Sequence, residues 1–332
     1  MEENTLDLSE KLINSILAYK QSAIIFAARD INLFKILSGD HSIDEISEML
    51  NVRKKPLLLI IKVLVAMNYI IEKDNEIYII NSDFKELLTE ESEKSLIPYI
   101  DLESLIFKSR NTYQDIIDAL YNRKEYQNEI RNDDNTTSAY INLMDIGNRY
   151  ASLHVLRMLS NYKNGRILDI GGGTGRCSIM GCSVYPNIQF HIYEKAIMID
   201  SIKKNVEASG FKNRIFYYEK DIITDDFDED YDAVIISNVL HLLNESNIDK
   251  VLEKIYFSLK SGGILVINDF VLNQNKKSFN YLLSMLDSLS LGNEYIYYLE
   301  DIKIKLISKG FDLLEVKDHD SIPTIIIASQ KL

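Results

Sequence analysis

The stretch Arg166-Ile-Leu-Asp-Ile-Gly-Gly-Gly-Thr-Gly-Arg-Cys-Ser178 lies near the middle of the chain. Ile167, Leu168 and Ile170 form a short apolar run of the kind that buried parallel strands contain, and Asp169 interrupts this run. Four glycines follow, and glycine both accepts positive φ and lets a ligand approach the main chain. The stretch therefore predicts a strand, a turn that can bind a ligand through its main chain, and the beginning of a helix.

The spacing of these glycines distinguishes between two classes of nucleotide ligand. A dinucleotide turn has the pattern G-x-G-x-x-G. Counted from Gly171, the third glycine position holds Arg176, and counted from Gly173 it holds Ser178. The residues instead follow D-x-G-x-G-x-G from Asp169 onward, which resembles the first motif of the class I methyltransferases. A structural loop in another α/β protein is the alternative reading.

The composition limits the classes of partner. The 332 residues include 37 basic and 50 acidic side chains, which gives a formal net charge of −13. A protein that holds nucleic acid needs a basic face, so we expect no nucleic-acid partner. The length is sufficient for two domains with a sizeable core.

The cysteines and the N-terminal residues indicate a compartment. Cys177 and Cys182 lie five residues apart in the predicted helix after the glycine turn, a spacing that does not favour a disulfide. No apolar run reaches the length of a membrane span, and Met1 to Asn4 carry no positive charge of the kind a leader has. We therefore expect a soluble, cytoplasmic protein with no membrane partner.

Residues 1–90 show the pattern of a winged helix. Apolar residues recur at helical spacing from Leu8 to Leu37, and Ser42-Ile-Asp-Glu45 has the form of a capping box that begins a short helix. A second helix begins at Lys55-Pro56, and Tyr69 to Ile79 reads as a hairpin. Helix, helix and hairpin in this order are typical of a winged helix.

Winged helices often bind DNA, but the composition of the second helix argues against that function. A recognition helix needs basic and polar side chains that face the groove. Residues 57–67 are mostly leucine, isoleucine and valine, and Arg53, Lys54 and Lys55 are confined to the preceding turn. A helix that is apolar nearly all round must be buried, so we expect this domain to pair with a second copy of the chain.

The remainder of the chain predicts a helical connector at 91–160, which contributes to a substrate pocket, and an α/β domain at 161–332. The α/β domain alternates strand and helix, as a doubly wound parallel sheet does. Beyond the first strand, further strands are predicted at Ile188–Tyr193, Arg214–Tyr218, Asp232–Ser237 and Gly263–Ile267, with a closing antiparallel pair at Leu313–Val316 and Thr324–Ala328. The predicted fold class is α/β, with a mostly parallel, seven-stranded, Rossmann-like sheet preceded by a mainly helical winged-helix domain.

Polar side chains follow the predicted strands at the point where each strand ends. These residues are Asp169, Glu194, Asp221, His241 and Asp269. Ligands of an open α/β sheet bind at the carboxyl edge, so we expect the five side chains to converge on one crevice. Glu194 stands roughly 20 residues after the glycines, where a carboxylate can accept hydrogen bonds from both hydroxyls of a ribose.

The two halves of the chain together resemble the small-molecule O-methyltransferases, the family that includes plant caffeate-type and bacterial polyketide-tailoring enzymes. The resemblance rests on the winged helix, on Ile167 to Gly175, on Tyr231 to Glu245 around the histidine, and on Lys309-Gly310-Phe311. It implies S-adenosylmethionine as the methyl donor, S-adenosylhomocysteine as the product, and an intertwined homodimer formed through the N-terminal domain.

The resemblance also implies which residues bind the cofactor. Gly171 and Gly173 would approach the methionine moiety, Glu194 the ribose and Asp221 the adenine. The complete set of expected cofactor-binding residues is Asp169, Gly171, Gly172, Gly173, Glu194, Asp221, Ile222 and Ser237.

His241 is the general base that the resemblance implies. A phenol has a pKa of about 10 and attacks poorly until a base removes its proton, and histidine titrates near neutrality. A core histidine bonded to a backbone carbonyl is the alternative reading. The family commonly orients this histidine with acidic residues, and Asp269 and Glu300 are the candidates, while Leu242-Leu243 replace the family's usual Asp-Trp. We expect no metal, since Ser237 stands where a magnesium-dependent enzyme would offer an acid.

The expected function is therefore transfer of a methyl group from S-adenosylmethionine to a hydroxyl, phenolic in kind, of a small secondary-metabolite-like molecule. The candidate pocket residues are Phe107, Tyr140, Met144, Phe270 and Met285. The alternatives that stay open are N- or C-methylation, chemistry other than methylation, and a non-catalytic protein that binds the cofactor.

Overall fold

The computed structural model describes residues 2–92, 94–109, 113–114, 116–117, 151–162, 164–273, 282, 297–318 and 324–332. The chain divides into two compact units, Met1–Arg110 and Asn111–Leu332. The predicted connector falls on both sides of this division, and most of it lies outside the described residues. Within the described ranges, no helix has the length and apolar character that a membrane span requires.

The first unit combines helices with a small antiparallel sheet. Its helices are α1 (Glu2–Asp30), α2 (Leu33–Ile36), α3 (Ile43–Leu50), α4 (Lys54–Ala66), α5 (Ser82–Lys85) and α6 (Ile97–Ser109). Its strands are β1 (His41–Ser42), β2 (Ile70–Lys73) and β3 (Ile77–Ile80), in the order β1-β3-β2. The two helices α3 and α4 followed by the β2–β3 hairpin form the predicted winged helix. Strand β1 was not predicted, because two residues are too few to show an alternating pattern.

Local signals in the sequence explain this unit. The hydroxyl of Ser42 accepts a hydrogen bond from the N–H of Glu45, and the Glu45 carboxylate accepts one from the N–H of Ser42 at 2.7 Å, so the capping box at the start of α3 is present. In α4, Leu57, Ile61 and Leu64 recur at helical spacing and are buried in the core of the unit.

The second unit is built on a seven-stranded sheet. Its strands are β4 (Asn164–Ile170), β5 (Asn187–Glu194), β6 (Ile215–Glu219), β7 (Tyr231–Ser237), β8 (Leu259–Asp269), β11 (Phe311–Asp318) and β12 (Ile325–Lys331). Their order is β11-β12-β8-β7-β4-β5-β6, and only the pairs that include β12 are antiparallel. A separate parallel pair joins β9 (Val271–Leu272) to β10 (Tyr297–Tyr298). The predicted α/β fold class is confirmed.

Apolar cores cover both faces of the sheet. The helices of this unit include α7 (Arg176–Val184), α8 (Ala196–Ser209), α9 (Glu245–Ser258) and α10 (Leu299–Ser308), and residues 151–158 are also helical. Successive residues of β4 alternate between the two cores, since Ile167 belongs to one and Leu168 and Ile170 to the other. Cys177 and Cys182 are free and buried, and burial raises the pKa of both thiols.

Several of the predicted strands are longer in the structure, and β8 differs most from its predicted range. Strand β8 extends from Leu259 to Asp269 because Leu259 pairs with Tyr231 and a register shift follows before Ile264 pairs with Ala233. As a result Asn268 and Asp269, which were expected just after the strand, are its last two residues.

Candidate active site

The carboxyl ends of the parallel strands meet at one edge of the sheet. Ile170 at the end of β4 pairs with Tyr193 of β5, and Ser237 at the end of β7 pairs with Asn268 of β8. The chain order reverses between β4 and β7, and doubly wound sheets bind ligands at such a switch point. The described strands therefore bring Asp169, Glu194 and Asp269 to the edge at which a ligand is expected.

The glycine turn between β4 and α7 has main-chain geometry that only glycine adopts easily. Gly171 and Gly173 have φ of 64° and 58°, and Gly175, the N-cap of α7, has φ of 79°. A Cβ on Gly172 would lie 2.8 Å from Cγ2 of Ile192. The turn therefore presents bare peptide at the beginning of a helix.

Asp169 is buried beneath this turn. Its Oδ2 accepts a hydrogen bond of 2.6 Å from the hydroxyl of Ser178 in α7. The pKa of the Asp169 carboxyl is raised to about 6. Burial is the largest cause, the hydrogen bond from Ser178 opposes it, and the charge of Glu194 adds to it. The bond to Ser178 fixes the first turn of α7 against the end of β4.

Glu194 joins the end of β5 to the glycine turn. Its Oε2 accepts a hydrogen bond of 2.9 Å from the N–H of Gly173, and its Oε1 accepts one of 2.8 Å from the N–H of Lys195. The carboxylate thus lies beside the turn, at the end of the second strand, where the sequence predicts the ribose contact.

Asp221 begins a turn after β6. Its Oδ1 accepts hydrogen bonds from the N–H groups of Ile223 and Thr224, at 2.7 and 3.3 Å. The side chain of Ile222 packs against the core of the sheet. Asp221 is therefore engaged in shaping its own turn through one carboxylate oxygen.

Ser237, at the end of β7, belongs to a buried chain of polar groups. Its hydroxyl accepts a hydrogen bond of 2.8 Å from Nδ2 of Asn268, and Oδ1 of Asn268 accepts one of 2.6 Å from the hydroxyl of Thr324. This chain links the ends of β7 and β8 to the beginning of β12.

His241 and Asp269 form a hydrogen-bonded pair. Nδ1 of His241 lies 2.7 Å from Oδ1 of Asp269, and Asp269 is fully buried while the histidine side chain is 11% exposed. An ionised carboxylate can only accept, so Nδ1 carries the proton and Nε2 of a neutral imidazole is left as an acceptor. The partner of Nδ1 is thus a carboxylate, and not the backbone carbonyl of the alternative reading.

The backbone around His241 is shaped by the same carboxylate. Asn238, with φ of 56°, turns the chain after β7, and Oδ2 of Asp269 then accepts hydrogen bonds from the N–H groups of Val239 and Leu240, at 2.9 and 2.7 Å. Oδ1 also accepts one of 2.8 Å from the N–H of Phe270. Asp269 therefore accepts four hydrogen bonds, three of which fix the main chain on either side of the imidazole.

Three residues of this site were not predicted from the sequence. Ser178 holds Asp169, as described above. Val239 lies against Gly171, since a Cβ on that glycine would come closer than 3.0 Å to Cγ2 of Val239. Residues 238–243, which carry His241, are called the histidine turn below, and the hydroxyl of Tyr297 holds its end by donating to the carbonyl of Leu243. Their local sequence carries no signal, because each acts through a partner that only the folded chain brings near.

The other predicted site residues are distributed as follows. The ring of Phe270 meets the imidazole of His241 edge to face, with 5.2 Å between centroids. Phe107 lies in the first unit, is 45% exposed and packs against Phe26. Tyr140, Met144 and Met285 lie outside the described residues.

The structure does not bring Glu300 to the histidine. Glu300 is 74% exposed and forms an ion pair of 2.8 Å with Lys303, one turn further along α10. The buried face of α10 consists of Leu299, Ile302 and Leu306, and a residue directly after Leu299 is turned by about 100° toward solvent. The orientation of His241 therefore comes from Asp269 in the part of the chain that the structure describes.

Among the described residues, no group of three or more histidine, cysteine, aspartate or glutamate side chains could hold a metal ion.

The fold and the edge of the sheet define an S-adenosylmethionine-dependent methyltransferase. A protein-family model, that of the O-methyltransferase domain, matches residues 99–291, which is more than half of the chain. The chain belongs to this O-methyltransferase family.

The chain is also similar to individual proteins and solved structures. Human N-acetylserotonin methyltransferase, solved with S-adenosylmethionine, superposes with a TM-score of 0.84 at 18% identity and covers 98% of this chain and 97% of its own. The 3-hydroxy-5-methyl-1-naphthoate 3-O-methyltransferase of Streptomyces sahachiroi is 28% identical over 41% of this chain and 42% of its own. An uncharacterised protein of Methanocaldococcus jannaschii is 25% identical over 90% of this chain and 84% of its own. Other matching relatives are named as C- or N-methyltransferases.

The residues at the sheet edge fit this cofactor. Gly171, Gly172 and Gly173 are half-buried, and a Cβ on Gly171 or Gly172 would collide with Val239 or Ile192. A carboxylate, that of Glu194, stands next to this turn at the end of the neighbouring strand. Bare peptide beside a carboxylate that can accept hydrogen bonds from ribose hydroxyls suits a sulfonium nucleoside with a ribose diol.

Proposed function

We propose that this protein transfers a methyl group from S-adenosylmethionine to a hydroxyl, phenolic in kind, of a small molecule, and that His241 is the general base. The observation that supports the proposal most directly is the pair formed by His241 and Asp269, placed on the turn that packs against Gly171. This arrangement places a proton acceptor next to the proposed cofactor-binding turn at one edge of the sheet.

The proton chemistry follows from the hydrogen bonds of the pair. Asp269 accepts from Nδ1 and stabilises the imidazolium that forms when Nε2 takes a proton from the acceptor hydroxyl. The base is needed because a phenol, with a pKa of about 10, is a poor nucleophile at neutral pH. Phe270, edge-on to the imidazole, limits the directions in which the ring can turn.

The cofactor supplies an activated methyl group, so the protein has only to align the acceptor and remove its proton. Gly171 and Gly173 would lie along the methionine moiety, Glu194 would accept from the ribose hydroxyls, and Asp221 with Ile222 would border the adenine. Asp169 and Ser178 act from behind, because their hydrogen bond holds the turn in place.

The same base is compatible with methylation at carbon. A phenolate is nucleophilic at its oxygen and also at ring carbons, and an amine needs no base of this strength to attack. The His241–Asp269 pair therefore favours acceptors that carry an acidic hydroxyl, and the site of methylation on such an acceptor is decided by its orientation.

We also propose a homodimer formed through the N-terminal unit. Along α1, every described side chain from Lys11 to Lys20 is exposed. The large apolar residues that are exposed between residues 8 and 20 are Leu8, Leu12, Ile13, Ile16, Leu17 and Tyr19. A continuous apolar stripe on an exposed helix is stable when a second copy of the same helix covers it.

Calorimetry and a product assay test the proposed function. The full chain is titrated with S-adenosylhomocysteine and with NADH, and is then incubated with S-adenosylmethionine and a panel of phenols, amines and aliphatic alcohols. We expect binding of S-adenosylhomocysteine alone and methylated products from the phenols. Heat with NADH but none with S-adenosylhomocysteine would contradict the assignment of the cofactor, and products from the amines alone would contradict the role of the base.

A further inference from the structure

The turn after β6 is held by a lysine from a distant helix. This segment, residues 221–226, is called the Asp221 loop below. Nζ of Lys254, in α9, donates to the carbonyl oxygens of Ile223 and Asp225 at 2.8 and 2.7 Å, and lies 3.4 Å from that of Ile222. An ammonium group has three donors and no acceptor, so all three can be directed at this one loop.

The N–H groups of four residues of the Asp221 loop are satisfied from within the loop. Oδ1 of Asp221 accepts from Ile223 and Thr224, Oδ2 of Asp225 accepts from the N–H of Asp221 at 2.8 Å, and the N–H of Asp225 donates to the carbonyl of Asp221 at 2.9 Å. The carbonyl groups of Ile222, Ile223 and Asp225 instead converge on Lys254. Ile222 and Ile223 are half-buried, so their carbonyl groups need a donor, and Lys254 supplies it.

Lys254 is placed for this task by the packing of α9. It stands beside the buried stripe of this helix, which includes Val251, Leu252 and Ile255, and its side chain is half-buried. Its ammonium also lies 5.5 Å from the ring centroid of Phe227, which packs against the core. Lys220 adds a bond of 2.6 Å to the carbonyl of Asp226 at the far end of the loop.

We infer that Lys254 is a positioning residue for recognition of the adenine base, an inference that rests on the proposed function. Lys254 fixes the carbonyl side of the Asp221 loop, and this sets the position of the Asp221 carboxylate relative to the sheet edge. Oδ1 of Asp221 is used within the loop, so Oδ2 is the atom that accepts from the exocyclic amino group of the adenine. Lys254 itself does not touch the ligand.

A comparison of two ligands separates this role from general stabilisation. S-inosylhomocysteine carries a carbonyl where S-adenosylhomocysteine carries the exocyclic amino group. We measure the affinity of the full chain for both ligands by calorimetry, for the unchanged protein, for Lys254→Met and for Lys250→Met. Lys250 lies one turn earlier on α9, is exposed and has no hydrogen bond to the loop among the described residues, so it is the matched control.

We expect Lys254→Met to weaken S-adenosylhomocysteine binding about tenfold, the effect of losing hydrogen bonds worth about 1.4 kcal/mol. We also expect its preference for S-adenosylhomocysteine over S-inosylhomocysteine to fall, while Lys250→Met keeps both values. We further expect the amide hydrogens of the Asp221 loop to exchange faster in Lys254→Met than in the unchanged protein. If Lys254→Met does not fold, Lys254→Gln, which keeps the polar head without the charge, is judged by the same two affinities.

The possible outcomes are distinct. If the unchanged protein binds S-adenosylhomocysteine and the Lys254 variant keeps its affinity and its preference, the positioning role is wrong and the proposed function stands. If the variant loses affinity for both ligands by the same factor, the lysine stabilises the fold only, and the inference is again overturned. If the unchanged protein binds neither ligand, the proposed function itself fails.

Discussion

Cγ2 of Val239 occupies the space that a Cβ on residue 171 would need, so the glycine turn and the histidine turn are packed against each other. Gly171 also has φ of 64°, which a residue with a Cβ adopts at a cost of about 1–2 kcal/mol. Gly171 is therefore constrained twice, by its own backbone and by its neighbour from the turn that carries His241.

We expect Gly171→Ala to reduce the affinity for S-adenosylhomocysteine at least tenfold, and Val239→Ala in the same chain to restore part of it by removing the collision. The backbone strain stays, so recovery is incomplete. Calorimetry on the two single variants and the double variant gives the interaction energy, for which we expect about 0.5–3 kcal/mol. Strict additivity of the two changes would show that the turns do not press on each other.

His241→Ala should lose turnover by a factor of about 10²–10⁴, the usual contribution of a positioned acid or base, and should keep its affinity for S-adenosylhomocysteine. The matched control is Glu300→Ala. Glu300 is exposed and paired only with Lys303 among the described residues, so we expect its replacement to leave turnover unchanged. Normal methylation by His241→Ala would remove the histidine from the mechanism.

Asp269→Asn tests the support of the base. An asparagine keeps one acceptor oxygen and places an NH₂ group where the other carboxylate oxygen was. This NH₂ group then faces groups that are themselves donors, either His241 or the N–H groups of Val239 and Leu240. We expect the free energy of unfolding to fall by about 1–3 kcal/mol and turnover to fall beyond what the loss of folded protein explains. Denaturant titration and turnover per folded molecule separate the two effects, and unchanged turnover per folded molecule would refute the orienting role.

The pH dependence of stability should carry the signature of Asp169. Its pKa is about 6 in the folded chain against an ordinary value of 3.8, so folding favours the protonated carboxyl. The contribution of this group to the free energy of unfolding is complete below about pH 4 and is lost as the pH rises to about 6. The loss is about 3 kcal/mol, because one pKa unit corresponds to about 1.36 kcal/mol.

The measurement is the difference in free energy of unfolding between Asp169→Asn and the unchanged chain, without ligand, from pH 4 to 7. The asparagine cannot ionise and still accepts from Ser178, so the difference should rise in favour of the variant and level off above about pH 6. Ser178→Ala is the control: losing the hydroxyl raises the pKa of Asp169, so the plateau should move to higher pH. A difference that does not depend on pH would contradict the account.

The proposed dimer is tested on α1. Ile16→Lys combined with Leu12→Lys places two charges on the apolar stripe and should convert a dimer to a monomer in light scattering. Asn14→Lys adds a charge on the opposite side of the same exposed helix and should leave the dimer intact. A monomer for the unchanged chain at micromolar concentration would rule out the proposed assembly.

Much of the fold could be predicted because its signals are local. The strand, glycine turn and helix at Arg166–Ser178 combine an apolar run with backbone angles that glycine adopts most easily, and both properties belong to the residues themselves. The capping box at Ser42 and Glu45 is local in the same way, since its two hydrogen bonds span three residues. The carboxyl-edge positions of Asp169, Glu194 and Asp269 followed from the alternation of strands and helices.

The hydrogen-bond partners could not be read in this manner. Asp269 is 28 residues from His241, and Lys254 is 29 residues from Asp225, so each pairing exists only because the sheet order and the packing of α9 bring the partners together. Glu300 shows the converse: its place in the sequence near a helix start agreed with an orienting acid, but the apolar face of α10 turns it to solvent. Short-range pattern and backbone freedom thus determined the class of fold and the glycine turn, whereas tertiary packing decided which side chains meet, because contact between distant residues depends on the whole arrangement of strands and helices.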